Sequence, residues 1–277
     1  MEFDIRGCYD NISHELLEKA LQKHTQCKWI LLYIKRWLKA PICDVDRNLI
    51  ARDKGLAQGG VISPLLMNLF LHYVFDKWLE KHFPDLPFCR YADDGLVHCV
   101  SVKQAEYVCD KLKERFAECG LELHPNKTKL FYCQDINRKQ KYSNIKFDFL
   151  GYTFRPRSSK DKYNRRYVNF LPAVSRAALK AIRQTIRGWK IQLKSDKSLE
   201  DLSRMFSPVI QGWLNYYGRF YKSALDVVWN HLDRYLTRWV LHKYKRFRQH
   251  KTRARHWVKK LSQAKPWLFP HWKLRSV

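Results

Sequence analysis

Asp93 and Asp94 stand side by side, with Tyr91 and Ala92 before them and Gly95 after. Two carboxylates a few ångströms apart repel by about 4 kcal/mol at an effective dielectric near 20. Both stay ionised only where water or a divalent cation neutralises them. A third carboxylate, Asp4, lies near the start of the chain, with Tyr9 five residues beyond it. Three carboxylates at one sheet edge would suit two Mg²⁺ ions. Such ion pairs serve phosphoryl displacement by stabilising the attacking and leaving oxygens. A solvated Asp-Asp turn explains the pair alone more simply, so the surrounding elements must discriminate.

Pro87-Phe88-Cys89 and Leu96-Val97-His98-Cys99-Val100 flank the pair, and the pattern predicts strand, tight turn, strand. Met1–Ile5 reads as a further strand. Ser13 is placed to cap a helix through Lys23, and Lys28–Leu38 repeats the helical period. Residues 39–53 suggest a β-hairpin, and Gly55–Gly60 a flexible loop. Ser63-Pro64 predicts an N-cap followed by proline at the first helical position, opening a helix to His82. Val102–Cys119 is amphipathic and ends at Gly120. Leu121–Leu123 and Lys129–Cys133 read as strands, and Phe147–Phe154 as a hairpin turning near Gly151. Residues 155–166 read as a basic linker. Helices are then expected over 173–193, 199–206, 209–221 and 225–247. Mixed helices and hairpins in the first part argue α+β.

The charge is divided unevenly. Residues 1–150 carry 23 Lys/Arg against 20 Asp/Glu, whereas residues 151–277 carry 30 against 6. The second part, with a net +24, calls for a polyanionic partner. Its basic residues are dispersed among Trp and Tyr rather than lining a lone amphipathic helix, which favours nucleic acid over membrane. Trp213, Tyr216, Tyr217 and Trp239 could stack on bases or simply build a helical core. No apolar run approaches a membrane span, and the acidic start is unlike a signal peptide. The eight cysteines include no C-x-x-C pair, so they read as reduced, mostly buried thiols of a cytoplasmic protein.

Phe3-Asp4-Ile5-Arg6-Gly7-Cys8-Tyr9-Asp10-Asn11-Ile12 resembles polymerase motif A. Gln58-Gly59-Gly60-Val61-Ile62-Ser63-Pro64-Leu65 resembles motif B, and Tyr91-Ala92-Asp93-Asp94 motif C. The stretch from Gly120 to Lys129 is similar to motif D, and Phe149-Leu150-Gly151-Tyr152 to motif E. Their order and spacing resemble the reverse transcriptase/maturases of bacterial group II introns. The resemblance continues into Gly212-Trp213-Leu214-Asn215-Tyr216-Tyr217 and Pro266-Trp267-Leu268-Phe269-Pro270-His271-Trp272, which look like the maturase region.

The resemblance implies a polymerase palm over residues 1–165, an antiparallel sheet with packed helices. An all-α, basic thumb/maturase domain over 166–277 would follow. It implies RNA-directed DNA polymerase activity with a maturase role in splicing and mobility of the intron. Asp4, Asp93 and Asp94 would be catalytic and hold two Mg²⁺ ions. Tyr9 would lie under the sugar of the incoming nucleotide and exclude a 2′-hydroxyl, although core packing is the plain alternative for a tyrosine. Gln58, Gly59 and Lys127 would border the nucleotide, with solvated lysine the alternative for the last. Phe149, Leu150, Gly151 and Tyr152 would form the primer grip. Arg183, Arg187, Arg219, Arg234 and Arg238 are the candidate RNA-binding residues. The implied partners are group II intron RNA, an RNA template with a DNA primer, and deoxynucleoside triphosphates. Ala57 departs from the family's usual proline before Gln58.

Relatives begin well before motif A, with fingers segments, and Met1 stands three residues before Asp4. The expectation is therefore a chain lacking fingers, and lacking an appended zinc-containing endonuclease. A non-polymerising, intron-RNA-binding remnant is then the competing function. Either function requires the basic second part to meet phosphates. Affinity for structured RNA should fall by about 10³ or more between 50 and 200 mM salt. Filter binding across that range checks this, and a flat response would refute it.

Overall fold

The computed structural model describes residues 1–43, 46–138 and 140–274. It forms two compact units that divide between Phe131 and Tyr132. The first contains β1 (Glu2–Phe3), α1 (Cys8–Asn11), α2 (His14–Gln22), α3 (Lys28–Lys39), β2 (Ile42–Cys43), β3 (Leu49–Ile50), α4 (Ser63–Leu71), α5 (Lys77–His82), β4 (Phe88–Tyr91), β5 (Asp94–Val97) and α6 (Val102–Glu118). The second contains β6 (Phe147–Phe149), β7 (Tyr152–Lys160), β8 (Arg166–Val174), α7 (Arg176–Gly188), α8 (Leu199–Tyr217), α9 (Asp226–Lys243), α10 (Lys251–Ala264) and α11 (Pro270–Lys273).

The central sheet of the first unit is antiparallel, in the order β1-β5-β4. Its register sets Phe3 opposite Gly95 and Tyr91 opposite Asp94. Phe3 is fully buried, and its ring meets Phe75 at 4.9 Å and Phe116 at 5.9 Å between centroids. A Cβ on Gly95 would lie 2.1 Å from that ring. Only glycine lets Phe3 lie across β5. Because side chains alternate along a strand, the same register turns Asp4 and Asp94 to the face away from Phe3.

Ser13 and Ser101 cap α2 and α6 through their hydroxyls, and Gly120, at φ +77°, follows α6 as expected of a C-terminal glycine. Ser63 is not an N-cap. Ile62 takes that position, so Ser63 is the first helical residue and Pro64 the second. The helix expected to run unbroken to His82 changes to π geometry over His72–Asp76. Leu121–Leu123 and Lys129–Cys133 do not form strands. They contribute only the single bridges Ile5 to Leu123 and Glu2 to Lys129, because β1 is too short to template a longer pairing. The expected hairpin after α3 is β2–β3; Asp44 and Val45, within the expected range, lie outside the described residues. Of the cysteines only Cys8 and Cys119 are fully buried, whereas Cys27, Cys43 and Cys89 are exposed, so the expectation of mostly buried thiols is corrected.

In the second unit, residues 155–166 are not a linker. They belong to the long β7–β8 hairpin, which pairs continuously from Tyr152–Val174 to Lys160–Arg166. Asp161 closes it by accepting from the backbone N–H groups of Tyr163 and Arg165, each at 2.9 Å. The helix expected from residue 173 begins at Arg176 and ends at Gly188, with a short 3₁₀ turn following at Ile191–Leu193. The two helices expected over 199–206 and 209–221 are one, α8, with Pro208 inside it. An interior proline costs about 3 kcal/mol, which burial of Phe206 and Ile210 on either side offsets. The helix expected over 225–247 is α9, flanked by 3₁₀ turns. The core here is aromatic, with Trp229, Trp239, Phe269 and Trp272 almost wholly enclosed. No helix among the described residues is long and apolar enough to cross a membrane.

The fit of Phe3 over β5 is directly testable. Gly95→Ala should destabilise the fold by about 1–3 kcal/mol, the usual range for overpacking, as read from the midpoint of urea denaturation.

Candidate active site

The catalytic candidates of the first unit gather around the β4–β5 hairpin. Residues Ala92 and Asp93 form its two-residue turn, in which Ala92 takes φ +57°. Extending the β1–β5 register by one residue sets Asp4 opposite Asp94. The backbone of Asp4 is fixed from its other edge, since its carbonyl accepts from His124 N at 2.8 Å. The turn that follows brings Lys127 round, and its Nζ lies 2.6 Å from Asp4 Oδ2.

A cleft of about 650 Å³ opens here, lined among others by Asp4, Tyr9, Asp10, Gln58, Gly59, Asp93 and Lys127. Six of the seven catalytic and nucleotide-site candidates thus share one cavity. Asp94 does not line it, but senses it. Burial first, and then the charges of Asp93 and Asp4, push its carboxyl above the usual carboxylate range, while Lys127 opposes the shift. Tyr9 shows the same field, its hydroxyl being raised by burial and then by Asp93. Burial and Asp93 likewise hold the Cys8 thiol up to about 12, so it is protonated and unreactive.

The loop before α4 is strapped to α1. Leu56 N donates to Tyr9 O at 2.7 Å and Gly55 N to Ile12 O at 2.8 Å, while the buried His14 donates from Nε2 to Gly55 O at 2.7 Å. Gly55, at φ +80°, is required because a Cβ there would meet Asp10 O at 2.7 Å. Gln58 Nε2 then reaches both carboxylate oxygens of Asp10, at 3.0 and 3.2 Å. Neither Asp10, read only within the motif A stretch, nor His14 was singled out as a site residue from the sequence. Only the glycine at 55 hinted at a close backbone approach.

Oxygen donors of this kind suit a hard divalent cation such as Mg²⁺. The mutual field of the three carboxylates also fits, for a cation would relieve it. As they stand, no three His, Cys, Asp or Glu side chains among the described residues are gathered closely enough to hold an ion, and Asp4 is engaged by the Lys127 ammonium.

In the second unit, Phe149 and Tyr152 end the two strands of the β6–β7 hairpin, and both are buried. Leu150 and Gly151 form its turn, at φ +49° and +77°. The hairpin is bound to α8: Tyr152 donates its hydroxyl to Tyr216 O, and Tyr216 returns a bond to Leu150 O at 2.8 Å. Of the four residues, Leu150 is the one with a substantially exposed side chain.

Four of the five RNA-binding candidates converge. Arg183 and Arg187 on α7, and Arg234 and Arg238 on α9, all act electrostatically on His231, whose Nε2 is buried and makes no hydrogen bond. Burial and then these four guanidinium groups hold the imidazole below its ordinary pKa. Arg219 stands apart, close to Tyr152. The stacking candidates divide: Trp239 is wholly buried and donates to Lys194 O at 2.9 Å, Trp213 lies against Trp189, and Tyr216 is about half exposed.

Residues 1–154 match the family model of the reverse transcriptases, RNA-dependent DNA polymerases. The chain belongs to that family. Residues 179–259 match the group II intron maturase-specific domain, so this reverse transcriptase is of the group II intron-encoded, maturase-bearing kind. It is 26% identical over 302 residues to the group II intron-encoded protein LtrA of Lactococcus lactis subsp. cremoris, covering 79% of this chain and 48% of that protein. It is 28% identical over 158 residues to the COX1/OXI3 intron 1 protein of Saccharomyces cerevisiae, covering 54% of this chain and 18% of that one. The reverse transcriptase chain therefore spans less than half the length of either relative. Its backbone also resembles telomerase from Candida albicans, at TM-score 0.48 and 14% identity, covering 99% of this chain and 50% of that one. That likeness is too distant to bear on function.

The shared field has a measurable sign. A raised carboxyl pKa means that the folded state binds more protons than the unfolded one. Asp94 therefore lowers stability as pH rises from the ordinary carboxylate range through its raised value. Carboxyl-carbon NMR titration should show the Asp94 pKa falling in Asp93→Asn and rising in Lys127→Ala. Unchanged titration in both would disprove the coupling.

Proposed function

We propose that the cleft of the first unit carries out RNA-directed DNA synthesis, and that the second unit binds group II intron RNA in support of splicing and mobility. The observation that carries the first part is the convergence of Asp4, Asp93, Tyr9, Gln58, Gly59 and Lys127 on one cavity. Asp4, Asp93 and Asp94 would hold two Mg²⁺ ions, which when bound activate the primer 3′-hydroxyl and neutralise the departing pyrophosphate. Tyr9, on the cleft wall, would lie against the sugar and exclude a 2′-hydroxyl, selecting deoxynucleoside triphosphates. Lys127 brings a permanent cation to the phosphates once Asp4 releases it. Gln58, fixed by Asp10, and Gly59, with open space where a Cβ would stand, border the nucleotide and template. Phe149, Leu150, Gly151 and Tyr152 would grip the DNA primer through the hairpin backbone.

The arginine cluster around His231 supports RNA binding independently of the cleft. Guanidinium forks match phosphate geometry, and a bound phosphate would let the imidazole accept a proton. That cluster serves equally a second reading, a chain that binds intron RNA without polymerising.

Primer extension on an RNA template with Mg²⁺ separates the two. Polymerisation predicts extension that falls by about 100-fold or more in Asp93→Ala. Equal extension by both proteins, while RNA binding still weakens on replacing Arg187 and Arg234 by Gln, would leave only the second reading.

A further inference from the structure

Beneath the hairpin that carries Asp93 lies a largely but not fully buried ion pair, Arg90 with Asp76. Arg90 is the β4 residue opposite Gly95, so its side chain points to the core face shared with Phe3. Its guanidinium donates from Nε to Asp76 Oδ1 and from Nη2 to Asp76 Oδ2, both at 2.7 Å. Nη1 donates to Asn68 Oδ1 and to Ala92 O, each at 2.9 Å. The side chains of Arg90 and Asp76 are only 9% and 16% exposed. His72 adds Nδ1 to Asp76 Oδ2 at 3.2 Å. Asp76 is the last residue of the π segment, and His72 the first. The extra residue of that wide turn shifts the face on which Asp76 emerges relative to Asn68.

Two features set this pair apart from a plain stabilising bridge. One of its hydrogen bonds ends on the backbone of the turn that carries Asp93. That turn also contains Ala92 at φ +57°, a conformation that costs a residue with a Cβ but costs glycine almost nothing. Tight turns of this type ordinarily place glycine at such a position.

We infer that Arg90 and Asp76 are positioning residues: they clamp the Ala92 carbonyl, hold the turn in its left-handed conformation, and thereby set where Asp93 stands relative to Asp4 and Asp94. This rests on the reading of those carboxylates as metal-holding. The clamp works through the carbonyl of the residue before Asp93, and the π segment is what supplies its anionic jaw.

Replacing Arg90 by Met together with Asp76 by Leu removes both charges without orphaning either. Two readouts on the full chain follow: the backbone carbon shifts of labelled Ala92, and Mn²⁺ affinity from the electron paramagnetic resonance signal of the free ion. The double variant should lose the left-handed signature of Ala92, and its Mn²⁺ affinity should fall roughly 10- to 100-fold, as for other groups that orient metal ligands. Adding Ala92→Gly should restore most of that affinity, because glycine holds the turn unaided. A role confined to fold stability would give no such rescue. Should the double variant not fold, Arg90→Lys, which keeps the charge and loses the fork, is read in the same two ways. An unchanged Ala92 signature in the folded variant, or lost affinity that glycine does not restore, overturns the inference. Parent protein whose Mn²⁺ binding is indifferent to Asp93→Ala instead overturns the metal reading, and the Ala92 shifts then decide the clamp alone.

Discussion

The geometry of the first unit depends on one steric fit, the ring of Phe3 lying over the bare α-carbon of Gly95. The fit locks β1 to β5 in a single register, because a shift of one residue would put a side chain under the ring and send Phe3 to the other face. The same register fixes the opposite face, where Asp4 and Asp94 stand across from each other. One aromatic packing contact on the core side thus determines a polar arrangement on the cleft side. The two faces of a three-stranded sheet are coupled by nothing more than the pleat.

Around that sheet, each part of the cleft is held by backbone rather than by side chains alone. Asp4 is pinned through its carbonyl, Tyr9 through the carbonyl that Leu56 meets, and the loop bearing Gln58 through Gly55. Backbone anchoring gives fixed placement. It leaves the side chains that face the cavity available for ligands. The second unit uses a different economy: an aromatic interior excludes water, and almost all of its surplus charge is left for the surface.

The sequence revealed the parts whose signals are local. Ser13 announced its helix, Gly120 an ending, and the alternation around Asp93-Asp94 a hairpin. What it concealed has physical reasons. Leu65 to Phe75 is so nearly all apolar that helical periodicity carries no phase, and a π turn within it left no trace. Residues 155–166 read as a linker because they are basic and half exposed, although Asp161 and Asn164 are turn formers that marked a hairpin. Pro208 suggested a break that burial on both sides overrode. For the cleft, the charged and aromatic candidates were legible as motifs. Their supports, Asp10, His14, Asp76 and Arg90, were not, because the contacts that join Asp10 to Gln58, His14 to Gly55 and Arg90 to Asp76 span 48, 41 and 14 positions.

Lys127 carries a consequence of its own. With an ammonium 2.6 Å from Asp4, part of the acidic edge's charge is offset from within the chain. If the carboxylates hold metal as proposed, a divalent cation reaching Asp4 displaces that ammonium. The charge added at that carboxylate is the difference between ion and lysine, and the displaced ammonium stays tethered to the cleft, where it can meet the next anion to arrive.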